Sequence, residues 1–313
     1  MKAISQDALG GPEVLKMVEV DKPVPAPTEV LVRVEAAGLN PTDWKSRRSG
    51  GFLADGPPFV LGWEVSGVVE DSGIGQALHK PGDEVFGMLK YPDGHGAFAE
   101  YVTAPSRHFV RKPAGIDHVH AAGIPLAGLT AYQALVDVAN LREGHRVLVH
   151  AAAGGVGHLA VQIAKARGAY VIGTASAAKH EFLRGLGADE LIDYRNEDFA
   201  EVVRDVDVVL DSIGGDYGPR SLRTLREGGT IVSLVLSVLD PNVRAKAAER
   251  GIRFEAMLVE PDQAAMRALA ALVEAGKLRV EIAAALPLAE AAKAHELGET
   301  NRVTGKIVIT VPR

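Results

Sequence analysis

The chain has 313 residues, enough for two hydrophobic cores, and its 47% apolar and 24% charged composition belongs to a folded globular protein, not a disordered one. A net charge of −6 with no basic block argues against nucleic acid as a partner, because neutralising phosphates takes clustered Lys and Arg. The absence of cysteine excludes disulfides and thiolate zinc sites, and the longest apolar stretch, Ile231 to Leu239, is broken by Ser and too short to span a bilayer.

The amino terminus, Met1-Lys-Ala-Ile-Ser-Gln-Asp7, carries no apolar targeting run, so a cytoplasmic location without membrane contact is the expectation. Short β-like runs follow: Glu29 to Glu35, Glu64 to Glu70, Asp83 to Met88 and Ala97 to Val102. Pro23, Pro25, Pro27, Pro57-Pro58 and Pro81-Gly82 separate them, which predicts an antiparallel, barrel-like domain. From about residue 120 strands alternate with helices. The predicted strands are 146–150, 170–174, 190–193, 207–211 and 230–234; the predicted helices are 156–167, 178–185, 198–204 and 217–225. That alternation predicts an α/β domain with a parallel sheet covered on both faces. The last segment reads as helix 263–275, strand 280–286, helix 288–298 and strand 306–310, folding back onto the first domain. The expected domains are 1–121 with 263–313, and 122–262.

The strongest motif is Arg146-Val-Leu-Val-His-Ala-Ala-Ala-Gly154-Gly155-Val156-Gly157, a buried strand running through a Gly-rich turn into a helix. This is the context of a dinucleotide fingerprint. Ala152 takes the first small position, Gly154 the second, where the backbone must approach a pyrophosphate, and Gly157 the third, where helix and strand pack closely. The amides of Gly155 and Val156 are expected to point at the phosphates from the helix amino terminus. An NAD site usually ends the second strand with Asp or Glu, but Val171-Ile-Gly-Thr174-Ala-Ser176-Ala-Ala-Lys179 has no acid. Ser176 and Lys179 suit a 2′-phosphate, and Tyr194 after the third strand can donate to it, so NADPH is the expected cofactor. The plainer readings are a solvated lysine in a first helical turn and an ordinary strand-end aromatic.

These segments, with Gly173-Thr174-Ala-Ser176-Ala-Ala-Lys179 and Ile192-Asp-Tyr194, resemble the medium-chain dehydrogenase/reductase superfamily, and more closely its zinc-free quinone oxidoreductase branch. So do Ala37-Gly38-Leu39-Asn40-Pro41-Thr42-Asp43, Gly62-Trp63-Glu64-Val65-Ser66-Gly67, Pro81-Gly-Asp-Glu-Val85-Phe86-Gly87, Gly96-Ala-Phe-Ala-Glu100-Tyr101, Gly128-Leu-Thr130-Ala131 and Thr304-Gly305-Lys306. The resemblance implies a GroES-like, partly open β-barrel catalytic domain plus a doubly wound Rossmann domain. Zinc-dependent members place Cys where Asn40 stands and His where Trp63 stands, and they carry a four-Cys lobe; none of these is present, and no His pair lies at helical ligand spacing. The resemblance therefore implies a metal-free reductase of quinones or α,β-unsaturated carbonyls.

Without a metal, charge developing on the substrate oxygen needs donors. The resemblance places Asn40 at the substrate carbonyl or the nicotinamide ribose, Thr130 facing the nicotinamide, and Thr174, Ser212, Ile213 and Leu234 in segments lining the cofactor. Lys45 stands where related reductases often have Tyr; its ammonium can stabilise an enolate, or it is a surface lysine in a loop. Asp43 and Glu64 read as structural hydrogen-bonding groups in loops, His95 and His108 as ordinary polar residues, and Trp44 and Trp63 as pocket wall or core. An enoyl-thioester reductase and a non-catalytic NADPH-binding or redox-sensing protein are the alternatives. A homodimer pairing through Ile252 to Val259 is expected.

Overall fold

The computed structural model describes residues 1–53, 56–94, 96–236 and 242–311. His95 and the end of the 231–239 run lie outside the described residues. The chain divides into two compact units: residues 1–129, 260–276 and 280–313 form one, and residues 130–259 and 277–279 the other. The first division falls within the helix Pro125–Tyr132, somewhat later than the sequence suggests, because Gly128 packs against Leu269 of the helix Gln263–Glu274.

In the first unit, strands β1 (Lys2–Gln6), β2 (Lys16–Glu19) and β4 (Phe59–Val60) make a small antiparallel sheet in the order β2-β1-β4. The larger sheet runs β15-β16-β3-β5-β6-β8, with β7 also on β3. Its strands are β3 (Glu29–Leu39), β5 (Glu64–Ser72), β6 (Glu84–Met88), β7 (Tyr101–Pro105), β8 (Phe109–Arg111), β15 (Ile282–Pro287) and β16 (Lys306–Thr310). Long, apolar β3 pairs with β5, β7 and β16, all antiparallel. The run Ala97 to Val102 does not form the strand its apolar content suggests. Phe98 donates to Leu61 O at 3.0 Å and accepts from Ile4 N at 2.8 Å, so its first residues link to the small sheet and strand β7 begins later.

The second unit is a parallel sheet, β11-β10-β9-β12-β13-β14. Its strands are β9 (Arg146–Val149), β10 (Tyr170–Ala175), β11 (Glu190–Asp193), β12 (Val206–Asp211), β13 (Leu225–Ser233) and β14 (Arg253–Ala256). Numbered from β9, this is the 3-2-1-4-5-6 order of a doubly wound fold, whose switch point between β9 and β12 opens a crevice at the strands' carboxyl ends. Leu148, Ile172, Val209 and Ile231 fill the core, with Phe199 and Leu222 packed from the helices.

Candidate active site

Strand β9 ends at Val149 and the helix Gly157–Ala166 begins after a seven-residue turn. Ala151 takes a positive φ of 48°, and its carbonyl accepts the Gly154 amide at 2.8 Å. At Gly157 a Cβ would lie 2.7 Å from Ala152 Cα and collide with the Ala151 carbonyl, so only glycine fits. At Gly154 a Cβ would make one close contact, with Ala151 O at 3.2 Å, and no other within 4 Å. Among the described residues the amides of Gly155 and Val156 have no protein acceptor. Two unused amides at the start of a ten-residue helix, beside an open glycine, fit a diphosphate.

The turn is supported from beneath. Thr174 is buried; its hydroxyl accepts the Ala151 amide at 3.2 Å and meets His150 Nδ1 at 3.2 Å. The other His150 nitrogen lies 2.9 Å from Ser221 Oγ. Burial first, then the Arg220 guanidinium, push the His150 imidazole down to about 3, so it is neutral. Thr174, expected among the cofactor ligands, thus spends its hydroxyl holding the loop. His150 is a residue the sequence reading passed over.

At the end of β10, Ser176 is buried and accepts the Lys179 amide at 2.9 Å through its carbonyl. Lys179 is partly buried, and burial followed by the Arg195 charge holds its ammonium below the usual value. Tyr194 is exposed, with the Arg195 guanidinium 5.9 Å from its ring. Ser176, Lys179, Tyr194 and Arg195 therefore gather at one place. Arg195 was not anticipated; its position directly after Tyr194 was the available signal.

On β12, the Asp211 carboxylate accepts the amides of Ile213 at 3.0 Å and Gly214 at 2.9 Å, shaping the turn. Ser212 Oγ donates to His150 O at 3.0 Å, and the Leu234 amide to Asp211 O at 2.8 Å. Ile213 stays exposed at this strand end, and Thr130 is buried at the start of the unit.

The first unit carries a separate buried cluster. The helix Pro41–Ser49 starts with Pro41 and with the Asp43 carboxyl oxygen accepting the Asn40 amide at 2.7 Å, and it stops at Gly50, φ 80°. Asp43 and Lys45 therefore sit on a helix, not in a loop, and Glu64 opens β5. The loop expectation failed because Pro41 and the polar run after it hide a capped helix start. Asn40 Nδ2 donates to Glu64 Oε1 at 2.6 Å, and Lys306 Nζ donates to Asn40 Oδ1 and, at 2.8 Å, to Glu64 Oε1. Glu64 Oε2 accepts the Leu126 amide at 2.7 Å. Gly38 makes this possible, since any Cβ there would collide with the Glu64 carboxylate. The Asn40 carboxamide is thus held at both ends, by Glu64 at its nitrogen and Lys306 at its oxygen. Burial pushes the Asp43 carboxyl up to about 8, with Glu64 adding to the rise and Lys306 opposing it.

Lys45 is exposed on this helix. Trp63 is buried against Tyr91, and Trp44 lies against Gly298. His108 is held below its ordinary value, chiefly by burial. Among the described residues no three His, Asp or Glu gather as a metal cluster, and no helix is long and apolar enough to cross a membrane.

Residues 26–114 match the alcohol dehydrogenase GroES-like domain, and residues 186–309 the zinc-binding dehydrogenase family. The quinone oxidoreductase of Pseudomonas aeruginosa is 37% identical, over 98% of this chain and 99% of its own. The chain belongs to the medium-chain dehydrogenase/reductase superfamily, in its quinone oxidoreductase branch. An NADPH-dependent alkenal/one oxidoreductase of Arabidopsis thaliana chloroplasts is 38% identical, over 99% of this chain and 79% of its own. Among solved structures, a Coxiella burnetii quinone oxidoreductase superposes with a TM-score of 0.94 at 41% identity, covering 100% of this chain and 99% of that one. The Escherichia coli quinone oxidoreductase, complexed with NADPH, gives 0.90 at 31% identity, with 99% and 100% covered. Within this superfamily the first unit is the GroES-like domain and the second the Rossmann domain.

Proposed function

We propose that this quinone oxidoreductase-family chain is an NADPH-dependent reductase that reduces quinones or the carbon–carbon double bond of small α,β-unsaturated carbonyls. The observation carrying the reading is the acid-free end of β10, where Ser176, Lys179 and Arg195 converge beside the open glycine turn. A carboxylate there would repel a 2′-phosphate, whereas two cations attract it. Relatives named for the same chemistry include a 2-haloacrylate reductase of Burkholderia sp, 35% identical.

NADPH, when bound, supplies the hydride. Gly154, Gly155 and Val156 hold its diphosphate, and Ser176, Lys179, Tyr194 and Arg195 its 2′-phosphate. Thr130, Ser212, Ile213 and Leu234 serve its nicotinamide end. Asn40, oriented by Glu64 and Lys306, and Lys45 serve the substrate carbonyl. We place the protein in the cytoplasm as a homodimer joined along β14, which ends the second unit's sheet among the described residues.

Following NADPH absorbance with a panel of quinones and alkenals tests this. Turnover with strong preference for NADPH over NADH is expected; tight NADPH binding without turnover of any compound makes the protein a binder and not an enzyme. A likeness to the CurK enoyl reductase, TM-score 0.88 at 29% identity, favours an enoyl thioester as second substrate class. Crotonyl-coenzyme A in the same panel separates the two.

A further inference from the structure

Hydride addition to an enal or enone leaves an enolate, whose α-carbon must then take a proton. In the GroES-like unit the Tyr91 hydroxyl lies 3.0 Å from Oγ1 of Thr42, two residues after Asn40. The phenol ring is fixed edge-on by Trp63, centroids 5.5 Å apart, and by Phe52 at 6.1 Å. Trp63 is itself anchored, its Nε1 donating to Pro92 O at 3.0 Å. Tyr91 is only partly buried and Phe52 is half exposed, so this aromatic cluster is open to solvent at its edge. Burial, and to a lesser degree the Asp43 charge, hold the phenol above its usual value, so it keeps its proton throughout the neutral range. Lys45, by contrast, is exposed on the same helix.

We propose that Tyr91 is the general acid of the reduction, with Thr42 as its positioning residue and proton relay. The proposal rests on the reductase reading above. Hydride adds to the β-carbon, and the double-bond electrons move into the enolate. The Tyr91 O–H bond breaks as a C–H bond forms at the α-carbon, giving the saturated carbonyl compound. The phenolate left behind takes a proton from the Thr42 hydroxyl, which water restores in the same hop. The sum is one hydride from NADPH and one proton from water. A quinone needs no such acid, because its hydroquinone anion is protonated by water.

The test uses the full chain, NADPH and crotonaldehyde, with parallel runs in heavy water. Wild type is expected to turn over and to place deuterium on one face of the α-carbon. Tyr91→Phe is expected to lower kcat about 10²-fold, within the range of general acid catalysis, and to deuterate both faces. Its NADPH affinity, read by fluorescence titration, stays within about twofold. Thr42→Val is expected to lower kcat less, in the same direction, and takes over as the decisive variant if Tyr91→Phe does not fold. Unchanged kcat, or a fall in kcat with one-face deuteration intact, overturns the proposal. So does finding both effects in Lys45→Gln instead. A wild type that binds NADPH but reduces no alkenal overturns the reductase reading itself, before any variant is made.

Discussion

Lys306 Nζ lies 2.8 Å from Glu64 Oε1, and both side chains are almost wholly removed from water. Glu64 also accepts from Asn40 and Leu126, so its charge is satisfied only while every partner is present. Removing one member of a buried pair strands the other and costs about 3–5 kcal/mol. Lys306→Met is therefore expected to lower the urea-unfolding free energy by that amount, and adding Glu64→Gln to recover part of it. An unchanged midpoint in Lys306→Met would show that the pair contributes nothing.

In the proposed phosphate site, cofactor preference is expected to depend on Lys179 and Arg195. A hydrogen bond to a charged group contributes about 1.5–3 kcal/mol, less where solvent screens it. Lys179→Ala is expected to lower the NADPH to NADH ratio of kcat/KM about tenfold, and adding Arg195→Ala to lower it further. A ratio equal to wild type in the double variant would remove both residues from the phosphate site.

The two glycines of the turn should separate folding from binding. A Cβ at position 157 would lie 2.7 Å from Ala152 Cα, so Gly157→Ala must displace the backbone, at about 1–3 kcal/mol of stability. It is expected to lower both Tm and NADPH affinity. Gly154→Ala meets only Ala151 O at 3.2 Å and is expected to keep Tm within a degree or two while losing NADPH affinity. Calorimetry and NADPH titration of the two variants check the contrast.

Three buried groups with large shifts dominate the pH dependence of stability; His108 and His118, also lowered chiefly by burial, add to the loss on the acid side. His150 and His295 are each pushed down to about 3, chiefly by burial, whereas the Asp43 carboxyl is pushed up to about 8. Below the ordinary histidine value the unfolded chain takes up two protons that the folded rings refuse. Over the same range folded Asp43 keeps a proton that the unfolded chain has lost. The net is one proton favouring unfolding, or about 1.4 kcal/mol lost per unit as pH falls from about 6.5 to about 4. Above that range Asp43 is the one of these three that still differs, and stability falls by a similar slope as pH rises towards 8. Urea midpoints should peak near pH 6.5, and Asp43→Asn should flatten the alkaline side. A flat profile on that side in wild type would mean that Asp43 is ionised in the fold.

Much of this was legible along the chain because the relevant signals are local. The switch from strand runs to strand–helix alternation, the small residues from Ala152 to Gly157 and the missing acid after Thr174 are all contiguous patterns. The helix Pro41–Ser49 was missed because its length is short and its polar face gives no apolar period. Arg195 was missed because its relevance comes from proximity to Lys179, which belongs to a different strand–helix unit.

By itself the sequence determined the strand–helix alternation of the second unit, the glycine turn and the absence of an acid after Thr174, since backbone sterics and side-chain charge act over a few neighbouring residues. The tertiary structure alone decided that Asn40 is clamped between Glu64 and Lys306, that Thr174 and His150 support the loop and that Tyr91 meets Thr42. Those pairings join residues far apart in the chain, and they hold because burial withdraws water from polar groups and leaves each one only the partners that folding brings within reach.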